Sequence, residues 1–102
     1  MKTDKKIHSI TILGRRWFQK SYGNTYFTAY IYVNGEQVHA MPQEYGYGDQ
    51  YAHSSMDWLE KAGHITRKAY ANGGHEGIWQ TAERLGIAIT YHAQDVARER
   101  DL

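Results

Sequence analysis

The chain contains no cysteine among its 102 residues, and that absence excludes several kinds of site at once. Without thiols it cannot form disulfides, iron–sulfur clusters, thiolate nucleophiles or cysteine-ligated zinc sites.

Long apolar runs are also missing. None approaches the roughly 20 residues that cross a bilayer, and the opening MKTDKKIHSI has no signal-like stretch. We therefore expect a soluble protein of the cytoplasm.

Sequence motifs of the common enzyme classes are absent as well. The chain has no P-loop, no dinucleotide-binding glycine pattern, and neither an HExxH nor a GxSxG sequence. Its length leaves room for one core, so residues 1–102 are predicted to form a single domain. We expect residues 1–5 and 97–102 to be flexible termini.

The small net charge of +1 conceals an uneven distribution along the chain. Residues 1–24 hold six Lys or Arg against one Asp, a net charge of +5, whereas residues 25–63 hold one Lys against five acidic residues, a net charge of −4. Residues 64–102 balance, with five of each sign. A local basic excess favours an anionic partner, although such runs also occur on solvated faces.

The strongest local signal is Asn34-Gly35, which lies between the alternating segments 26–33 and 36–41. Asn-Gly is the preferred pair for a type I′ hairpin turn. A two-residue loop predicts the apolar pairs Ile31 with Val38 and Ala29 with Ala40 on the core side. The opposite face would carry Tyr26, Thr28, Tyr30, Tyr32, Gln37, His39 and Met41. Pro42 should end the second strand or mark a sheet edge.

An earlier strand begins near Ile7, and the turn around Gly23 joins it to the hairpin as a three-stranded meander. The loop length is open. A two-residue loop places Arg15 and Trp17 beside the tyrosines, whereas a three-residue loop places Arg16, Phe18 and Lys20 there and Trp17 in the core. We prefer the second arrangement because it avoids burying two cations.

The second half of the chain predicts two helices and a strand. Asp49 is placed to cap a helix that ends near Ala62, with a buried stripe of Ala52, Ser55, Met56, Leu59 and Ala62. A second helix is predicted over 75–85, with Ile78, Ala82 and Leu85 facing inward and Gly86 closing it, and a final strand over 87–91. Residues 71–74 should form a loop. The order β-β-β-α-α-β predicts an α+β two-layer sandwich, with the antiparallel meander and the last strand covered on one face.

The six histidines raise the question of a metal site. His53 and Asp57 stand four residues apart on the predicted first helix, a spacing that can present two ligands. A third ligand, His64 or His75, would have to come from a loop. Residues of this kind more often face solvent, so we predict no metal site and no cofactor.

The Tyr45-Gly46-Tyr47-Gly48 loop is the candidate for acid–base chemistry, because Glu44, Asp49 and His53 flank it. Glycines and tyrosines also serve as ordinary connectors between a strand and a helix. We therefore assign no catalytic residue and expect a protein that is not an enzyme.

Cations and aromatic rings that share the outer sheet face are the clearer functional signal. Tyrosines beside Arg and Lys resemble the surfaces on which single-stranded bases stack. The same aromatic patch also suits a protein partner or self-association. The candidate binding surface comprises Arg15, Arg16, Phe18, Lys20, Tyr26, Tyr30, Tyr32 and His39.

Four linked segments carry a resemblance that covers roughly residues 7 to 65. They are GRRWFQK from Gly14, GNTY from Gly23, VNGE from Val33 and YGYGDQY from Tyr45. Together they resemble a group of small proteins encoded by tailed bacteriophages and prophages. The resemblance implies an accessory role in a bacterial host, exerted on a host protein or on nucleic acid, and it carries no catalytic residue.

From the sequence we expect a small non-catalytic binding protein that uses this face to bind a host protein or to associate with itself. One alternative is a single-stranded nucleic-acid-binding module. A less favoured alternative is a small enzyme built on the Tyr-Gly-Tyr-Gly loop.

Overall fold

A computed structural model describes residues 6–71 and 74–102 and shows an α+β fold in the predicted order. The regular elements are β1 (Ser9–Gln19), β2 (Asn24–Val33), β3 (Glu36–Tyr45), α1 (Gln50–Lys61), α2 (Ile78–Leu85), β4 (Ala88–Val96) and a 3₁₀ turn (Glu99–Asp101). No helix in the described ranges is long and apolar enough to cross a membrane.

The four strands form one mixed sheet in the order β3-β2-β1-β4. The first three are antiparallel neighbours, as the meander predicts, but β4 pairs with β1 in parallel. Because β3 runs in the same direction as β1, β4 is also parallel to β3, and no tight turn can lead from β3 to β4. The chain needs a long crossover between them. Residues 46–87 supply that crossover, and it carries both helices.

The core lies between one face of this sheet and the two helices. β1 and β2 contribute alternate residues to it, because successive side chains of a strand point to opposite faces. The largest fully buried side chains are Ile10, Ile12, Phe27, Ile31, Met56, Leu59, Thr81 and Ser55. The predicted stripe of α1 is confirmed from Ala52 to Leu59, whereas Ala62 is exposed.

The Asn34-Gly35 turn forms as predicted, with both residues at positive φ (52° and 83°) and Val33 paired with Glu36. Ile31 and Ala29 are fully buried, and Tyr30 and Tyr32 lie on the opposite face, also as predicted. The two-residue loop therefore places β2 correctly.

The predicted register of β3 is wrong beyond the turn. A bulge at Val38 pairs Ile31 with His39 instead, so Val38 and Ala40 are exposed and Met41 is buried. A second register shift lies opposite Thr28, where β3 carries Pro42 and Gln43 between its paired residues. Pro42 therefore lies at an irregularity of an edge strand, the position expected for a residue that cannot donate to a ladder.

The preferred register of β1 is also wrong. Gln19 pairs with Asn24, so four residues (20–23) form the loop, and the Gly23 amide donates to the Gln19 carbonyl at 2.8 Å. An even loop length puts Arg15 and Trp17 on the same face as the tyrosines and turns Arg16 to the helix side. The faces rejected on charge grounds are thus the ones observed for Arg15, Arg16 and Trp17, but the loop has four residues, longer than either predicted length, and Lys20 is exposed within it.

Glycines lie at the C-terminal end of α1 and at both ends of α2. Asp49 and Ala62 occupy the N-cap and C-cap positions of α1, although the Asp49 side chain makes no capping hydrogen bond. Gly63 follows at φ 87°, and Gly86 closes α2 at φ 70°. The second helix begins at Ile78 rather than near residue 75, because Gly77 occupies the N-cap position. Thr81 joins its buried side, which the apolar pattern did not indicate.

β4 extends five residues beyond the predicted end, to Val96. The following segment, expected to be a flexible terminus, forms the 3₁₀ turn and contacts the sheet, since the Asp101 carbonyl accepts a hydrogen bond from Arg15 at 3.1 Å. The other predicted flexible terminus, 1–5, and residues 72–73 of the predicted loop lie outside the described residues.

A buried carboxylate anchors the segment between the helices. Glu76 is 8% exposed, and its carboxylate accepts hydrogen bonds from the Arg84 guanidinium at 2.9 Å, the Lys68 amide and the Thr81 hydroxyl. These donors lower the pKa of Glu76 to about 2, the Arg84 hydrogen bonds contributing most. The carboxylate thus joins the end of the connecting segment to α2.

Replacing Leu59 by Ala should lower the free energy of unfolding by about 2 to 5 kcal/mol, because the side chain is fully buried and its loss leaves a cavity. Urea denaturation of both proteins measures the change. Trp79→Ala is the control: Trp79 is 73% exposed on α2, so its loss should change stability by less than about 0.5 kcal/mol. A Leu59→Ala loss no larger than the control's would mean that α1 packs by another side.

Glu76 should make stability depend on acid pH. Its folded pKa lies below its ordinary value of 4.5, so its contribution is present above pH 4.5 and is lost as the pH falls toward about 2. Glu76→Gln should therefore be less stable than the wild type at pH 7, with a difference that shrinks between these pH values. Denaturant midpoints measured at several pH values test this, and a difference independent of pH would contradict the assignment.

Candidate binding surface

The sheet face opposite the helices remains uncovered over much of its area, and we call it the outer face. Its side chains are those that alternate with the buried residues of each strand. They include Leu13, Arg15 and Trp17 of β1, Tyr26, Thr28, Tyr30 and Tyr32 of β2, Gln37 and Tyr45 of β3, and His92 and Gln94 of β4. All four strands therefore contribute to one surface.

A groove of about 390 Å³ crosses the middle of the outer face. It is lined by Leu13, Gly14, Arg15, Tyr30, Tyr32, Gln37, His92 and Gln94, a set that contains no carboxylate. The Arg15 guanidinium carbon lies 5.3 Å from the centre of the Tyr30 ring, within the range of a cation–π contact. The groove therefore combines an apolar floor at Leu13, which is 40% exposed, with a cation held against an aromatic ring.

Three aromatic rings continue the outer face toward the β1–β2 turn, and a fourth, Tyr47, adjoins them from a pocket that Arg16 also lines. Trp17 stacks on Tyr26 with the ring centres 6.0 Å apart, and Tyr26 meets Tyr45 edge-on at 5.8 Å. Tyr45 in turn contacts Tyr47 at 6.4 Å. Offset and edge-on pairs of this kind fix the rings relative to one another. The result is a partly exposed aromatic row beside the groove.

Only part of the predicted surface is brought together here. Tyr26, Tyr30 and Tyr32 lie on the outer face with Arg15, and Lys20 is exposed in the turn at its end. These five residues remain candidates for a common surface.

Arg16 and Phe18 lie on the helix side instead. The Arg16 Nε donates to Asp95 Oδ1 at 2.8 Å, and its terminal nitrogen donates to the Gly48 carbonyl at 2.8 Å. Phe18 is 54% exposed and lines the same surface pocket as Arg16. A cation on the helix side was expected to cost free energy. The Asp95 carboxylate of β4 lies opposite Arg16, and its ion pair with the guanidinium offsets that cost.

His39 also lies on the helix side, where its ring stacks on that of Trp58 with the centres 4.1 Å apart. The bulge at Val38 causes this, since one extra residue in a strand reverses the faces of the residues that follow, here as far as the second register shift.

The sequence alone did not identify the contribution of β4. His92 and Gln94 reach the groove only because β4 continues past residue 91 and pairs in parallel beside β1. No sequence pattern within β4 or its neighbouring residues predicts that pairing. Leu13 could have been assigned to the outer face from the sequence, because in a strand it lies on the side opposite Ile10 and Ile12.

The residues considered for metal or acid–base chemistry are only partly brought together. His53 Nε2 lies 3.4 Å from Asp49 Oδ2, with both side chains more than half exposed. Asp57 instead accepts a hydrogen bond from Arg67 at 2.6 Å. Across residues 6–71 and 74–102, no three His, Asp or Glu side chains are grouped so as to hold a metal ion.

Comparison of the chain with protein families, with curated proteins and with solved structures gave no significant match.

Thr28 lies under the outer face between Tyr26 and Tyr30, and it is 8% exposed. Its hydroxyl has no hydrogen-bond partner among the described residues, and an unpaired buried hydroxyl costs about 1 to 3 kcal/mol. Thr28→Val should therefore raise the free energy of unfolding by about 1 kcal/mol. Urea denaturation tests this. A clear loss of stability would show that the hydroxyl makes a bond in solution.

Proposed function

We propose that this chain is a small non-catalytic binding protein that receives a partner protein on its outer face. One observation carries the proposal: both helices pack on the same side of the sheet, which leaves an aromatic groove open on the other side. A contiguous surface of tyrosine, tryptophan, leucine and arginine has the composition of binding hot spots.

The distribution of cations favours a protein over single-stranded nucleic acid. Proteins that bind single strands combine stacking rings with a basic path that follows the phosphates. On the outer face the groove contains one arginine, and Arg16 is engaged by Asp95 on the other side. Arg15 in the groove and Lys20 at the end of the face supply less positive charge than such a path needs. One arginine among aromatic rings suits a protein interface.

The groove also indicates the chemistry of the partner. Arg15 would pair with a carboxylate of the partner, and the surface around Leu13 and Tyr30 would cover an apolar or aromatic side chain. The resemblance to phage-encoded proteins makes a protein of the bacterial host, met in its cytoplasm, the partner we propose.

Tyr30→Ala should weaken partner binding by at least about 2 kcal/mol, or roughly 30-fold, because an anchor residue at the centre of an interface contributes energy of that size. The tagged wild type is first used to isolate one binding protein from a nuclease-treated bacterial lysate. The purified pair is then titrated by calorimetry against Tyr30→Ala and against Trp79→Ala, an equally drastic aromatic truncation on the helix side.

We expect Trp79→Ala to bind as the wild type does and both variants to keep the wild-type circular dichroism spectrum. Equal losses in the two variants would contradict the proposal. If capture needs nucleic acid, and labelled oligonucleotides bind with an affinity that falls as salt rises, the outer face is a nucleic-acid surface instead.

A further inference from the structure

The two edges of the sheet are protected very differently. β3 carries two register shifts and Pro42, features that prevent another strand from pairing along an edge. β4 pairs with β1 without interruption from Ala88 to Val96 and contains no proline, lysine or bulge. Only the β3 edge is therefore guarded against pairing.

The side of β4 that faces away from β1 has no strand beside it in the described part of the chain. In a strand of this length the alternate N–H and C=O groups on that side are free to pair with another strand. Most of its residues are exposed, including Thr90, His92 and Gln94. Its one carboxylate, Asp95, is already bound to Arg16 and provides little charge to repel a neighbour.

We propose that the β4 edges of two copies of this chain pair antiparallel about a two-fold axis and join the two sheets into one of eight strands. A two-fold axis makes the same edge serve both partners, which is how most homodimers are built. A register centred on His92 sets Asp95 opposite Ile89 of the second copy, so no like charges face each other. Nine residues per strand give a ladder about 30 Å long.

Such a dimer would also place two outer faces side by side on one surface of the extended sheet. A partner that offers two copies of its epitope could then be held at both. This consequence depends on the proposed binding function, whereas the β4 pairing does not.

The absence of cysteine makes the pairing directly testable. Thr90→Cys, His92→Cys and Gln94→Cys, made one at a time, each give a chain whose only thiol can form a disulfide only with a second copy. Moving the cysteine two residues from the axis separates the two thiols by ~13 Å, too far for a disulfide. We therefore expect crosslinking under mild oxidation to peak at one of the three positions.

Val38→Cys on the exposed bulge of the β3 edge is the matched control and should stay uncrosslinked. Light scattering should give a dimer mass for the wild type and for Tyr30→Ala. Thr90→Lys, which adds the kind of charge that guards natural edges, should give a folded monomer.

A monomer mass for the wild type at every concentration tested, or crosslinking as strong at Val38 as on β4, would overturn the proposal. A dimer abolished by Tyr30→Ala and retained by Thr90→Lys would overturn it too, since association would then use the outer face. Failure of the binding proposal would leave the mass and crosslinking results unchanged, so the two proposals fail separately.

Discussion

The parallel pairing of β4 with β1 is the constraint on which the rest of this structure depends. This pairing makes β4 parallel to β3 as well, so the chain between them must cross over, and that crossover contains α1 and α2 and lies on one side of the sheet. The core is therefore single-sided, and the opposite face stays open. The same pairing completes the groove with His92 and Gln94, supplies Asp95 to Arg16, and makes β4 an edge.

Two sets of contacts, which we call local devices, hold the crossover (residues 46–87) against the sheet and within itself. Gly14 lets the Tyr51 ring lie directly on β1, since a Cβ at that position would overlap the ring. Glu76 then ties the segment between the helices to Arg84 and Thr81, and Arg67 joins it to Glu60 on α1 at 2.6 Å. Both devices lie on the helix side, whereas on the outer face the Arg15 hydrogen bond to the Asp101 carbonyl holds the 3₁₀ turn against the sheet.

Features encoded by neighbouring residues could be predicted from the sequence, and features encoded by distant pairing could not. Asn34-Gly35 fixes its turn through backbone preference alone, and Gly63 and Gly86 end their helices in the same local way. The bulge at Val38 turns His39 toward Trp58, and Arg16 points inward opposite Asp95, 79 residues away. Neither contact is visible in the neighbouring sequence. The tyrosines of β2 were therefore placed correctly, whereas Arg16, Phe18 and His39 were not.

The three tryptophans allow the most direct test of the claim that the outer face is the working surface, because each reports on a different part of the molecule. Trp17 belongs to the outer face, Trp58 stacks on His39, and Trp79 is exposed on α2. If the outer face binds the partner, adding the purified partner to ¹⁵N-labelled protein should shift the Trp17 indole N–H signal in NMR spectra and leave that of Trp79 in place. A shift of the Trp79 signal with Trp17 unmoved would contradict that claim.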